Sequence, residues 1–143
     1  KGGADLPAQG EAVITGQGSR VALKLGSHDS RVVLGERGHA SLTRVSVSPD
    51  RIEVADVKGA LLVDARAGDP TLTLHLQHTT VTVNDAKVLY VNDNIYVGRG
   101  KVQLKSPETE ITVPTGERVQ LDPQGKPTPP MSFSTNGFEW EPN

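Results

Sequence analysis

Residues 71–121 read TLTLHLQHTTVTVNDAKVLYVNDNIYVGRGKVQLKSPETEITVPTGERVQL, and this stretch decides the fold class. Leu72, Leu74 and Leu76 alternate with Thr73 and His75, and Val81 and Val83 alternate with Thr80 and Thr82. Val88, Tyr90, Ile95, Val97, Val102, Leu104, Ile111, Val113, Val119 and Leu121 carry the pattern onward. Successive side chains of a strand point to opposite faces, so a period of two describes sheets with one face buried and one wetter. The breaks are turn chemistry: Asn84-Asp85, Asn92-Asp93-Asn94, Gly98-Arg99-Gly100, Ser106-Pro107 and Thr115-Gly116. Asn, Asp and Gly tolerate positive φ, and Asn or Asp side chains bond their own turns. The stretch is a winding of short β-strands.

Working outward, the same grammar holds upstream. Short strands are expected at Ala12–Thr15, Ser19–Leu25, Arg31–Leu34, Ala40–Val47, Arg51–Val54 and Gly59–Ala65. The turns between them fall at Gly26–Asp29, Gly35–Gly38, Ser48-Pro49-Asp50, Asp56–Lys58 and Gly68-Asp69-Pro70. About a dozen short strands at this spacing predict an all-β fold, a two-layer antiparallel sandwich or solenoid-like meander. No window keeps the i, i+3, i+4, i+7 apolar spacing of a helix. A far-UV circular dichroism spectrum of β type, with helix below about 10%, is expected against a usual third.

Four segments are expected: a Gly- and Pro-containing lead-in at 1–10, a β domain at 11–122, a linker at 123–130 and an aromatic segment at 131–143. The linker holds four prolines in eight residues; proline cannot donate to a ladder and favours extended chain. An internal echo joins the two halves. Val21-Ala22-Leu23-Lys24 matches Val102-Gln103-Leu104-Lys105, and Gly35-Glu36-Arg37 matches Gly116-Glu117-Arg118, both 81 positions on. A period that long is no solenoid coil.

Composition narrows function. The 143 residues are enough for one domain with a real core. Fifteen Lys and Arg against 17 Asp and Glu give a formal charge of −2 with no basic stripe, so nucleic acid is not expected as a partner. No apolar run approaches the roughly 20 residues of a membrane span. The longest is Ala60-Leu61-Leu62-Val63, of strand size. With no cysteine there is neither a disulfide framework nor a thiolate metal site.

Candidate chemistry is sparse. His75 and His78 are the closest histidine pair, but i and i+3 on a strand face opposite sides and cannot share a metal. Asn92-Asp93-Asn94 has the look of a calcium loop, yet lacks the Gly and distal Glu that such loops use and leads straight into a strand, so it reads as a hairpin turn. Glu108 and Glu110 share one strand face, as a glycosidase pair could, but that arrangement is common on solvent faces and they read as solvent-facing carboxylates. Gly16-Gln17-Gly18-Ser19 joins two strands, so it has no helix N-terminus to hold a phosphate and no nucleophile elbow. No catalytic, cofactor or metal residue is therefore expected, and the chain is read as non-enzymatic. Gly98-Arg99-Gly100 is expected to be a tight hairpin reversal with at least one Gly at positive φ.

The aromatics are the sharper signal. Phe133, Phe138 and Trp140, three of the five in the chain, fall in the last eleven residues. They are the candidate partner-binding residues, since aromatics dominate interface energetics. The competing expectation is that they cap the chain's own core.

At Gly18-Ser19-Arg20-Val21-Ala22-Leu23, Thr79–Val91, Ile95–Leu104 and Thr115-Gly116-Glu117-Arg118-Val119, the chain resembles the FecR-like extracytoplasmic domain of bacterial signalling regulators. The resemblance spans roughly Val13 to Leu121; the chain has Asn84-Asp85-Ala86-Lys87 where that family usually sets Gly-Thr and an aromatic. It implies a β module in the periplasm or outside the cell that works through a protein partner in the cell envelope, in signalling or assembly. Two other readings stay open: a carbohydrate- or cell-wall-binding sandwich, and a jelly-roll scaffold or carrier of an envelope assembly. Homo-oligomers through sheet edges or the tail fit the last.

Overall fold

The computed structural model describes residues 11–14, 20–24, 28–45, 51–76, 78–124, 126–138 and 140. Among them the chain forms β1 (Glu11–Ile14), β2 (Val21–Lys24), β3 (Arg31–Leu34), β4 (His39–Val45), β5 (Arg51–Lys58), β6 (Leu61–Ala65) and β7 (Thr71–Leu76). It continues with β8 (Thr79–Val83), β9 (Ala86–Val91), β10 (Asn94–Arg99), β11 (Lys101–Lys105), β12 (Glu110–Pro114), β13 (Glu117–Gln120) and β14 (Met131–Ser132). The fold is all-β, with no helix among the described residues. The expected turn at Ser48-Pro49-Asp50, the lead-in at 1–10 and the Gly16–Ser19 turn lie outside them.

The strands form two seven-stranded sheets: β1-β4-β5-β7-β8-β11-β12 (sheet I) and β2-β3-β6-β9-β10-β13-β14 (sheet II). Strand numbers rise from edge to edge in both. The chain therefore winds from one sheet to the other, usually laying a hairpin in each before it crosses. All pairings are antiparallel except β5 with β7, which run parallel because the chain crosses to sheet II for β6 and returns.

Turn residues divide into two jobs. Asn92 and Asp93, with φ of 51° and 62°, close the β9–β10 hairpin between the paired Val91 and Asn94, and two positive φ values are what a type I′ turn demands. The expected hairpin turn is there. Sheet-to-sheet crossings use a single left-handed residue and not a pair: Arg37, Gly59, Gly68, Asp85, Gly100 and Gly116 each stand in one, with φ between 49° and 91°. Gly100 meets the expectation of positive φ at 69°, but β10 and β11 belong to different sheets, so Gly98-Arg99-Gly100 is a corner and not a hairpin. A Cβ at Gly100 would come within 2.5 Å of the Asp85 carbonyl, where the neighbouring corner passes.

The 81-residue echo falls on equivalent steps of the winding: β2–β3 and β11–β12 are both hairpins followed by a crossing. They lie in opposite sheets, however, and the left-handed residue is Arg37 in the first crossing and Gly116 in the second.

The main core fills the space between the sheets. Leu42, Ile52, Val54, Leu72, Leu74, Val81, Val83 and Leu104 come from sheet I, and Val32, Leu34, Leu61, Val63, Val88, Ile95, Val97 and Val119 from sheet II. At roughly 25 cal/mol per Å² of apolar surface removed from water, this layer is the main favourable term in folding.

Candidate interaction surface

Sheet I behaves as its alternation predicts. In β11 Val102 and Leu104 are buried while Lys101, Gln103 and Lys105 are exposed. Its outer face is a polar ladder in register, Glu53 beside Thr73, Thr82, Gln103 and Thr112. Sheet II does not. All five residues of β6 are buried, Leu62 and Asp64 included, although both point away from the main core. On that outer face Ala22, Val33, Leu62, Leu89 and Tyr96 stand side by side in one cross-strand row, which continues to Arg118 and Met131. Val33, Leu62 and Leu89 form a second, smaller core, with Val91, Tyr96, Phe138 and Trp140 packed against it.

The C-terminal segment makes that second core. After β13, Asp122 Oδ1 accepts hydrogen bonds from the backbone N–H of Gln124 (2.9 Å) and Lys126 (2.8 Å), closing a small loop. Leu121 then bridges Pro127, and the Thr128 N–H donates to the Gln120 carbonyl at 2.8 Å. The proline-rich segment thus starts along the domain and not away from it. Met131 and Ser132 pair with Arg118 and Glu117, and the Phe133 N–H donates to the Gly116 carbonyl at 2.9 Å. The chain then crosses the outer face of sheet II.

There the three candidate aromatics converge with one residue from the body of the sheet. Tyr96 meets Phe133 edge-on at 5.2 Å and Phe138 at 4.9 Å between centroids, and Phe138 meets Trp140 at 4.5 Å. These are the tilted and T-shaped geometries that the ring quadrupole favours. The Trp140 indole lies on Gly98, where a Cβ would sit 2.5 Å from the ring. Gly98 has no positive φ, so its glycine is a seat for the indole and not a turn residue. Lys87 Nζ stands 5.1 Å from the indole centroid, a cation–π distance. All three tail aromatics remain partly accessible.

Next to the apolar row runs a charged one. Lys24, Arg31, Asp64, Lys87 and Arg99 are successive cross-strand partners on β2, β3, β6, β9 and β10. Asp64 is 4% exposed. It accepts from Arg99 Nη1 at 2.7 Å and Arg66 Nη2 at 3.2 Å, while Arg99 Nη2 donates to the Ala65 carbonyl at 2.6 Å. A buried carboxylate held by two guanidiniums orients both arginines. Beside it lies a shallow depression of 540 Å³ whose rim includes Lys24, Arg31, Arg66 and Lys87.

Several polar residues elsewhere tie the scaffold together. Asp69, in the β6–β7 crossing, has a side chain 2% exposed. Burial disfavours its charge, but hydrogen bonds from Ser30 and His28 outweigh that and hold its carboxyl at about 2. It ties the β2–β3 loop to the crossing. On the outer face of sheet I, the His75 hydrogen bond first and the Arg51 bond second lower the Glu53 carboxyl. Burial and then Asp93 push the Tyr90 hydroxyl up to about 12, and that hydroxyl donates to Asp93 at 3.2 Å. Glu108 accepts from Lys126 at 3.1 Å, and Glu110 pairs across the hairpin with Lys105. Among the described residues no three His, Asp or Glu side chains converge as a metal cage would.

The sequence singled out Phe133, Phe138 and Trp140, and the structure brings them together. It missed Tyr96, Gly98 and Lys87, which receive them, and the whole charged row. No local signal marks that row, since its members come from five strands spread between positions 24 and 99.

No family model matches the chain, and no curated protein does. Solved structures do share its fold. A crystal structure of a protein assigned as an anti-sigma factor from Parabacteroides distasonis ATCC 8503, at 2.50 Å resolution, matches with a TM-score of 0.72 and 14% identity over 89% of this chain. Another so assigned from the same organism, at 1.65 Å, matches with 0.69 and 14% over 88%. The chain spans 62% and 61% of their lengths. No described helix is long and apolar enough to cross a membrane.

Proposed function

We propose that the chain is a non-enzymatic, extracytoplasmic interaction module of an envelope-signalling regulator of FecR-like type. The observation that carries this is the fold: a two-sheet winding similar over 89% of its length to a protein assigned as an anti-sigma factor. The FecR-like sequence pattern between Val13 and Leu121 supports the same reading independently. About two-fifths of each matched protein lies outside the similarity, so the reading concerns a sensing or partner-binding part of a regulator and not all of its activity. His28 with Asp69, His75 with Glu53, and Asp64 with its arginines are engaged in ion pairs that tie the scaffold together. The aromatic rings pack on one another, so they do not offer the free, flat platform that a sugar-binding sandwich would use.

The test is made in the source cell by deleting the gene, complementing with the full-length protein or with that protein lacking residues 11–140, and profiling transcripts. A small group of genes should change on deletion and return only with the domain present. A profile that ignores the domain would overturn the signalling reading. Fusing an export-dependent reporter enzyme to the full-length protein beside this domain tests the location. Activity is expected, and a silent but stable fusion would rule out an extracytoplasmic site.

A further inference from the structure

We infer that the outer face of sheet II is where a partner docks, and that it takes an extended acidic peptide segment laid along the row from Lys24 to Lys87. The inference rests on the interaction-module reading and adds the chemistry of the partner.

Charge complementarity carries it. Lys24, Arg31, Arg66 and Lys87 rim the 540 Å³ depression with only Asp29 and Asp64 among them. Four cations against two carboxylates leave the rim positive, on a chain whose formal charge is −2, and Arg99 from outside the rim also bonds Asp64. Strands about 4.8 Å apart set the spacing of the row, and the Asp64 bonds fix the arginine beside it. An acidic chain crossing the strands meets Lys24 and Arg31 on one side of the arginine-held Asp64 and Lys87 on the other, and a charged rim of this kind raises association rates as well as affinity.

Lys87 joins this depression to the tail, since it also stands over Trp140. Phe138 and Trp140 of the tail already lie on this face, and in the sequence acidic residues alternate with them. A peptide carboxylate that engages Lys87 must perturb the cation–π contact, so Trp140, the only tryptophan, is a built-in reporter.

The experiment titrates the intact chain with acetyl-hexaglutamate amide at low salt, following Trp140 emission and heat. Saturable binding is expected, weakened at least tenfold in 0.5 M NaCl because screening shortens the reach of these charges to a few Å. Lys24→Glu with Arg31→Glu should weaken it at least tenfold at unchanged secondary structure. Lys101→Glu with Lys105→Glu, on the outer face of sheet I, should change it less than twofold. If the first pair unfolds the chain, Lys24→Gln with Lys87→Gln replaces it, with at least a threefold loss expected by calorimetry. No saturable binding by the intact chain, or equal loss from the sheet I pair, overturns the inference. So does at least tenfold tighter binding of a sulfated hexasaccharide through the same residues, which would make the face a polysaccharide site. Each result is read without reference to transcripts, so it fails separately from the signalling proposal.

Discussion

The outer faces of the two sheets are built from the same number of strands and opposite chemistry. Sheet I presents Thr73, Thr82, Gln103 and Thr112 to water in an in-register ladder that nothing described covers. Sheet II sets Val33, Leu62, Leu89 and Tyr96 in the equivalent position and covers part of them with its own C-terminal segment. A polar ladder ends a sandwich; an apolar row with a charged neighbour starts another layer. Sheet II is the proposed docking face because a ring cluster and a positively charged rim are found together only there among the described residues.

The largest effect expected from breaking this contrast is deletion of residues 131–143. It removes three packed aromatics, and full burial of one such side chain is worth roughly 1.5–3 kcal/mol. With partial burial of each ring, a loss of about 4 kcal/mol is expected in denaturant melts. A deletion that melts like the parent would mean that the second layer does not stabilise the fold. In the intact monomer, Trp140 emission should be blue-shifted.

Leu62→Ala, which hollows the second core, should cost about 3 kcal/mol, within the range for buried leucines. Its counterpart on the other face, Thr82→Ala, should stay within about 0.5 kcal/mol. Equal effects would erase the distinction between the faces.

Paired carboxylates give the next contrast. Asp64→Asn should cost about 2 kcal/mol, since it weakens charged hydrogen bonds from Arg66 and Arg99 beside a buried group. Gly98→Ala should cost about 1–2 kcal/mol and shift Trp140 emission to the red, because its Cβ would collide with the indole.

The smallest effect belongs to Glu53 on the polar face. Its carboxyl is lowered in the folded chain, so its contribution is present above the ordinary value of 4.5 and fades as the pH falls below it. The group is partly exposed, and Glu53→Gln should cost less than about 1 kcal/mol at pH 7 and progressively less as the pH falls through the lowered folded-state value. Asp69 follows the same sign further down. Stability that it lends above 3.8 should be lost as the pH falls toward 2, and Asp69→Asn should flatten that part of the acid melting profile.

Much of this fold is legible in short stretches. The alternation of β7, β8 and β11 identifies strands with one buried face, and Asn92-Asp93 identifies a hairpin, because both are decided within a few residues by pleat geometry and φ preference. The pattern also hints at sheet II. The unbroken Leu61-Leu62-Val63 run is what a strand covered on both faces looks like. Gly98 shows the limit: beside Gly100 it reads as half of a reversal, and only the indole lying on it reveals why a side chain is excluded.

Taken alone, the sequence determined that this protein is an all-β chain of short strands, where most of its turns fall and which side chains fill the main core. Those properties depend on neighbours one to four positions apart. Only the tertiary structure decided which sheet each hairpin joins, that Gly98-Arg99-Gly100 is a corner between sheets, and that Trp140 rests on Gly98 beside Lys87. The same holds for the row from Lys24 to Arg99. Each of these is a contact or alignment between segments tens of residues apart, set by how the whole winding closes, and no local preference encodes it.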